Sequence, residues 1–403
     1  MNTKKIFFTI ITLAAVINLT ACQSKDEQYH IKTKDSAYYD MSYNVYENGL
    51  VYTVSKTAGT QACFLDYETM NGIPLCNKPN CAHTDSSCVS NLCAGSFLEP
   101  VIYHDYVYWF TSDHKIVDSE DGKSQTADIH TKCMRAKLDS GSVETFAEID
   151  GVYMKNQIDL AIVKDTLYII GSREVYQNEN DGTWGGFSRS GEQYLYSINL
   201  DSAEVHNYGQ INDSPHAKYN WSYGASIWSE VKMEGIYNDK LYMYYRYVED
   251  PQIIIDYLNT DWIENGNPRK DIPWVIENKC LDLKTGEITV SNLPYAWWIG
   301  ENYYVYEEND KFFILDENGK KTAAENMCDN ETYDFTFING KLWKGSINQG
   351  FDIKTNEKLS LSEKYSDKNA MVMDFVNEQY VVRYFENNEL KFDRVSEKDL
   401  IGG

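Results

Sequence analysis

Cys76, Cys81, His83 and Cys88 follow one another as Cys-x4-Cys-x-His-x4-Cys, with Cys93 close behind. Three thiolates and one imidazole can close a tetrahedral structural zinc site, and gaps of this length fall within the usual ligand spacing. The same thiols can instead pair as disulfides, which staple loops with little core of their own in an oxidising compartment. An iron–sulfur or other redox role is the third chemistry open to them. Attached c-type haem is disfavoured, because His83 does not directly follow the second Cys. Asn, Pro, Asp and Ser between the cysteines keep segment 74–93 a loop, able to fold its thiols together. Cys63, Cys133 and Cys280 lie in apolar strand-like stretches, as buried packing thiols would, and Cys328 has no evident partner.

Other chemistries find less support. The 61 acidic residues guarantee chance carboxylate pairs, and a pair of that kind could hydrolyse a glycosidic bond. No motif selects two of them. Gly-x-Ser-x-Gly is absent and the seven His are scattered, so no Ser-His-Asp arrangement stands out. His114 and His130 read as surface residues, and there is no Gly-rich phosphate loop. A net charge of −24 with 37 Lys and Arg excludes nucleic acid as a partner, because phosphate binding needs clustered basic residues. With 42% hydrophobic residues and only 8 Pro, the composition is that of a folded protein.

At the amino end, Lys4 and Lys5 precede the apolar stretch Ile6 to Leu19, which is too short to span a bilayer permanently. It closes on Leu19-Thr20-Ala21-Cys22, which resembles the lipobox of bacterial lipoproteins. The resemblance implies that residues 1–22 are a lipoprotein signal and that Cys22 is lipidated as the first mature residue. An even eight cysteines then remain of the nine. A diacylglyceryl group supplies the two chains that stable anchoring takes. Residues 23–35 are polar and read as a tether. The expectation is a body held at the extracytoplasmic face of the cell membrane.

The elements that position these residues repeat along the chain. Tyr occurs 32 times and aromatics reach 14%, a bias toward strands. A polar pair followed by a hydrophobic–aromatic run appears at Asn48 to Tyr52, His104 to Tyr108, Lys164 to Tyr168, Asn238 to Tyr242, Gly300 to Tyr304 and Asn339 to Trp343, with a weaker copy at Asn377 to Val381. Hairpin turns use such pairs. A second hairpin signal follows each, an apolar strand ending at Asp66, Asp139, Asp201, Asp282, Asp316, Asp352 or Asp393. Two hairpins make a four-stranded antiparallel blade. Residues 36–403 are therefore expected to form one all-β domain, a β-propeller of seven four-stranded blades, with a pair of β-sandwiches as the alternative. Either residues 36–46 or the strand near Leu390–Val395 could close the ring. Segment Pro74-Leu75-Cys76-Asn77-Lys78-Pro79-Asn80-Cys81-Ala82-His83 is similar to one in uncharacterised propeller-like lipoproteins of anaerobic Gram-positive bacteria. That resemblance bears on fold and location only.

Long excursions interrupt the pattern near 111–131, 171–193 and 245–278, each between the second and third strands of a blade. In a propeller those loops emerge on one face, and loops on a rigid scaffold commonly carry binding. By the same register the Cys-rich loop joins the last strand of blade one to the first of blade two, on that face. The excursions hold Trp184, Tyr257, Trp262 and Trp274 as candidate ligand-binding residues. Function is thus expected to be a non-catalytic binding or scaffold module for a glycan, peptide or protein. The alternatives are a carbohydrate-active enzyme on the same face, or a metal or redox lipoprotein centred on the Cys/His loop. No cofactor is expected if the thiols pair as disulfides, and a structural zinc ion is the cofactor of the alternative reading.

Overall fold

The computed structural model describes residues 31–32, 36–39, 44–56, 59–95, 100–118, 124–152, 160–173, 175–179, 186–190, 192–212, 218–220, 229–249, 273–300, 302–309, 311–324, 335–344, 349–366, 368–387 and 389–402. It is a seven-bladed β-propeller. Blade one runs Asn44–Tyr46, Gly49–Lys56, Gly59–Asp66 and Gly72–Pro74; blade two Val101–Tyr103, Tyr106–Asp118, Ser124–Lys137 and Val143–Asp150; blade three Leu160–Val163, Thr166–Arg173, Glu192–Asn199 and Val205–Gln210. Blade four follows as Ser229–Tyr237, Lys240–Val248, Trp274–Asp282 and Ile288–Val290; blade five as Ala296–Gly300, Tyr303–Glu308, Lys311–Leu315 and Lys321–Ala323; blade six as Phe335–Ile338, Lys341–Lys344, Gln349–Asp352 and Glu357–Ser360. Blade seven, Met371–Val376, Gln379–Glu386 and Glu389–Val395, has three strands among the described residues rather than the expected four.

Turn chemistry explains why several of these strand pairs fold back. Asn238-Asp239, Asn339-Gly340 and Asn377-Glu378 take positive φ at both positions (49° and 57°, 53° and 73°, 49° and 62°), as a type I′ hairpin requires. On the other hairpin, the carboxylates of Asp66, Asp282, Asp316 and Asp352 accept backbone N–H groups of their own turns. Three of the expected aspartates are displaced. In blade three the acceptor is Asn199, whose Oδ1 takes the N–H groups of Asp201 and Ser202. In blade two Lys137 stands at that register position, opposite Tyr106, and Asp139 lies 3.1 Å from its ammonium. In blade seven Asp393 sits inside the third strand, opposite Val382. Asn can accept the same N–H groups as Asp, so a search for Asp alone misplaces the register.

Apolar side chains seal every junction round the ring. One cluster of buried residues joins blades one, two and three, and others join three to four, four to five, five to six and six to seven. The last sets Leu50, Leu65 and Tyr67 of blade one against Met373 and Val381 of blade seven. There the Tyr67 hydroxyl donates to Asp374 Oδ2 at 2.9 Å and Arg394 donates to the Tyr67 carbonyl at 2.9 Å. Side chains thus close the ring, and among the described residues neither candidate segment supplies a strand shared between blades one and seven. Ser36–Tyr39 pairs with Leu160–Val163, the innermost strand of blade three, and Glu389–Val395 is the third strand of blade seven. Gly235 marks a close backbone approach between blades four and five. It follows a bulge in the first strand of blade four, has φ 139°, and a Cβ there would lie 2.7 Å from the Ile299 carbonyl of blade five.

Candidate metal centre

The Cys-rich loop completes blade one. Its outer strand stops at Pro74, after which the Leu75 N–H still bonds the Ala62 carbonyl at 2.9 Å. The chain then leaves the sheet. The Asn77 N–H donates to the Leu138 carbonyl at 2.7 Å, and a Cβ on Gly141 would meet the Lys78 and Val89 side chains at 3.4 and 3.7 Å. Gln61, on the third strand of blade one, donates to the His83 carbonyl at 3.0 Å and to Asn91 Oδ1 at 3.1 Å. A short helix, Val89–Leu92, and a 3₁₀ turn, Cys93–Gly95, follow, and Leu75, Val89 and Cys93 are buried in the core of blades one to three. The loop therefore packs on the outer flank between blades one and two and reaches the third-to-fourth strand turn of blade two. It makes the expected connection, meeting Gln61 near the second-to-third strand end of blade one, and it also runs down the flank to the opposite end of blade two. Its own apolar residues draw it into the groove between the blades.

Inside this loop the four expected ligands converge. One donor atom from each of Cys76, Cys81, His83 and Cys88 lies within 4.8 Å of all the others. Cys81 Sγ is 3.6 Å from Cys88 Sγ, and Cys88 Sγ is 3.5 Å from His83 Nδ1. With Zn–S near 2.3 Å and Zn–N near 2.0–2.1 Å, a zinc tetrahedron has S···S edges of about 3.8 Å and S···N edges of about 3.6 Å. These two separations match those edges. A disulfide needs about 2.0 Å, and none of the seven described cysteines is joined in one. The arrangement is one that can hold a metal ion, as the zinc alternative expected.

Local backbone and polar neighbours hold the donors. Asn80 and His83 adopt left-handed φ of 58° and 55°, a region both residue types tolerate, and this folds the Cys81–His83 stretch back on itself. The Cys88 N–H bonds the Asp85 carbonyl, Asn91 Nδ2 donates to the same carbonyl at 2.8 Å, and the Ser90 hydroxyl lies 3.1 Å from Cys88 Sγ. Cys76 and Cys88 are buried while Cys81 and His83 are half-buried. Burial, then the neighbouring Cys88 and Cys81 thiols, push the Cys76 thiol up to about 12, against an opposing hydrogen bond from the Lys78 backbone. A bound cation would offset both effects, because it stabilises thiolates directly. Four protein donors fill a tetrahedral shell and leave no open position for water or substrate, which is the pattern of a structural site. Sequence reasoning missed Gln61, Ser90 and Asn91. Gln61 alone left a signal, as a polar residue within an apolar strand.

Elsewhere, two of the excursions join. Val175–Glu179 pairs with the extended third strand of blade two and with Gly186–Ser190, which in turn pairs with Lys218–Asn220. Of the third excursion, the strands run to Val248 and resume at Trp274, opposite it. Trp274 is half-buried, with the Arg246 guanidinium 4.9 Å from its ring centre, a cation–π contact. Cys22, Trp184, Tyr257, Trp262 and Cys328 lie outside the described residues. His130 is exposed and 2.9 Å from Asp150, while Cys63, Cys133 and Cys280 are buried on third strands, as expected.

No family model matches the sequence, and no curated protein does. Among solved structures the chain is similar to one from an analysis of two prolyl endopeptidases (TM-score 0.43, 9% identity, 99% of this chain and 53% of that one). It thus spans about half the length of that endopeptidase chain. It is also similar to an oligogalacturonate lyase in complex with manganese (0.40, 9%, 91% and 92%). A third likeness is to the β-propeller domain of the Trilobed protease from Pyrococcus furiosus (0.36, 11%, 93% and 90%). None of these transfers an activity to this chain.

Proposed function

We propose that this protein is a lipid-anchored, extracytoplasmic propeller that works as a non-catalytic binding or scaffold module for a glycan, peptide or protein. In this reading Cys76, Cys81, His83 and Cys88 hold a structural zinc ion, and Cys22 carries the lipid. The observation that carries the reading is the convergence of four soft or borderline donors within 4.8 Å, on a loop whose apolar residues belong to the core. Such a centre fixes the fold and performs no turnover, which leaves the second-to-third strand excursions as the working face. The sheet that unites those of blades two and three supports that choice, since it presents a continuous hydrogen-bonded surface.

The test uses residues 23–403, purified without reductant, on glycan and peptide arrays. Binding is expected, and Trp274→Ala should weaken it while leaving the circular-dichroism spectrum unchanged. Conversion of an array hit into product, abolished by one Asp or Glu substitution, would replace the non-catalytic reading with an enzyme. Cys22→Ser is expected to move the full chain from the membrane fraction to the soluble one and to abolish acyl labelling. Retention of the label would refute the assigned anchor.

A further inference from the structure

We infer that the propeller stands on the membrane with one defined face down: the face made by its first-to-second and third-to-fourth strand turns. This rests on the lipid-anchor reading above. In blades built of alternating antiparallel strands those two sets of turns share one face, and the second-to-third strand loops occupy the other. The amino-terminal chain comes in on the first of these faces. Lys32 is pinned to the first hairpin turn of blade one, its N–H donating to Asn48 Oδ1 at 2.8 Å and its carbonyl accepting from the Glu47 N–H at 3.0 Å. Ile31 packs against the core of blades one to three. From there Ser36–Tyr39 runs along the inner edge of blade three, with Ser36 opposite Val163 beside the first hairpin turn and Tyr39 opposite Leu160 at the far end of that strand. The chain then starts blade one at Asn44, whose side chain donates to the Pro100 carbonyl just before blade two begins. It therefore climbs through the middle of the ring from the turn face to the excursion face.

The geometry of the tether makes that direction binding. Between Cys22 and Ile31 the chain can span at most about 30 Å when fully extended. A four-stranded blade is about 14 Å across between its outer strands, and a strand of eight residues is about 26 Å tall. Passing from the centre of the turn face over the rim to the opposite face needs roughly 40 Å or more by the same dimensions. The tether is too short, so the lipid holds the turn face toward the bilayer and the excursion sheet points away, open to a partner from outside.

The experiment places a p-azidophenylalanine, coupled to a donor fluorophore, at Glu68, Asn318 or Asp113 in the full chain. All three are exposed; the first two lie in third-to-fourth strand turns of blades one and five, and Asp113 lies high on the extended second strand of blade two. The lipidated proteins are purified from membranes and reconstituted into phosphatidylglycerol–phosphatidylcholine vesicles containing an acceptor-labelled lipid. Asp113 stands about 20 Å further along its strand than the turns, so quenching at Glu68 and Asn318 is expected to exceed that at Asp113. Equal quenching, or stronger quenching at Asp113, overturns the orientation. Chain that fails to float with the vesicles, although its fold is intact, overturns the anchor itself and the orientation with it. Flotation separates the two failures.

Discussion

Replacing Cys81 by Ser isolates the metal from the packing it supports. Cys81 is the least buried of the three thiols, so the substitution removes one ligand with little change to the core. If zinc fixes the loop, its loss lets 76–93 pull away from the groove between blades one and two. Leu75 and Val89, 0% and 1% exposed, then lose their cover. At about 1.5–3 kcal/mol for each buried aliphatic side chain, the expected loss is roughly 3–6 kcal/mol, a large part of an ordinary stability of about 5–15 kcal/mol. The assay is urea denaturation of wild type and Cys81→Ser, each with and without a zinc chelator, followed by tryptophan fluorescence. Wild type should fall by that amount on chelation, and the variant should start low and ignore the chelator. Loss of stability in Cys81→Ser together with a chelator-insensitive wild type would refute the reasoning, because the thiol would then act through packing or a covalent bond.

Other outcomes follow from the ring and its turns. Leu65→Ala should cost about 2–5 kcal/mol by opening a cavity in the apolar contact between blades seven and one, read as a lowered urea midpoint. Gly235→Ala should lower the same midpoint, since φ 139° is strained for any Cβ and the methyl would meet the Ile299 carbonyl. Burial alone would raise the Asp393 carboxyl, but hydrogen bonds from Lys364 and Tyr365, with the Lys364 charge, hold it below the usual carboxylate range. Its contribution is therefore complete above the unfolded carboxylate value of about 3.9 and disappears as pH falls through the lower folded value. Asp393→Asn should be about 1–2 kcal/mol less stable than wild type at pH 7, with the gap closing below about pH 4 in parallel urea titrations.

The blades were legible because their signals are local. A polar pair sets a tight hairpin, and apolar alternation sets the face that packs, so Asn238-Asp239 or Asn339-Gly340 reveals its turn without any tertiary context. The displaced aspartates show the limit of that reading. Asn199 and Lys137 occupy positions that strand pairing fixes, and pairing is a property of neighbours far along the chain. The four metal ligands could be named because their chemistry lies within one short loop. Their place could not, since the burial of Leu75, Val89 and Cys93 between two blades depends on surfaces contributed by Gln61, Leu138 and Gly141. Ring closure was illegible for the same reason. A Tyr67–Asp374 hydrogen bond joins opposite ends of the sequence, and nothing near either residue announces it.

Elemental analysis of residues 23–403, purified without reductant and weighed intact by denaturing mass spectrometry, tests the account most directly. The prediction is about one zinc per chain, lost together with the stability of the loop, and a denatured mass in which Cys76, Cys81 and Cys88 are still reduced. A metal-free protein whose mass is lowered by paired hydrogens, with these cysteines linked, would contradict it.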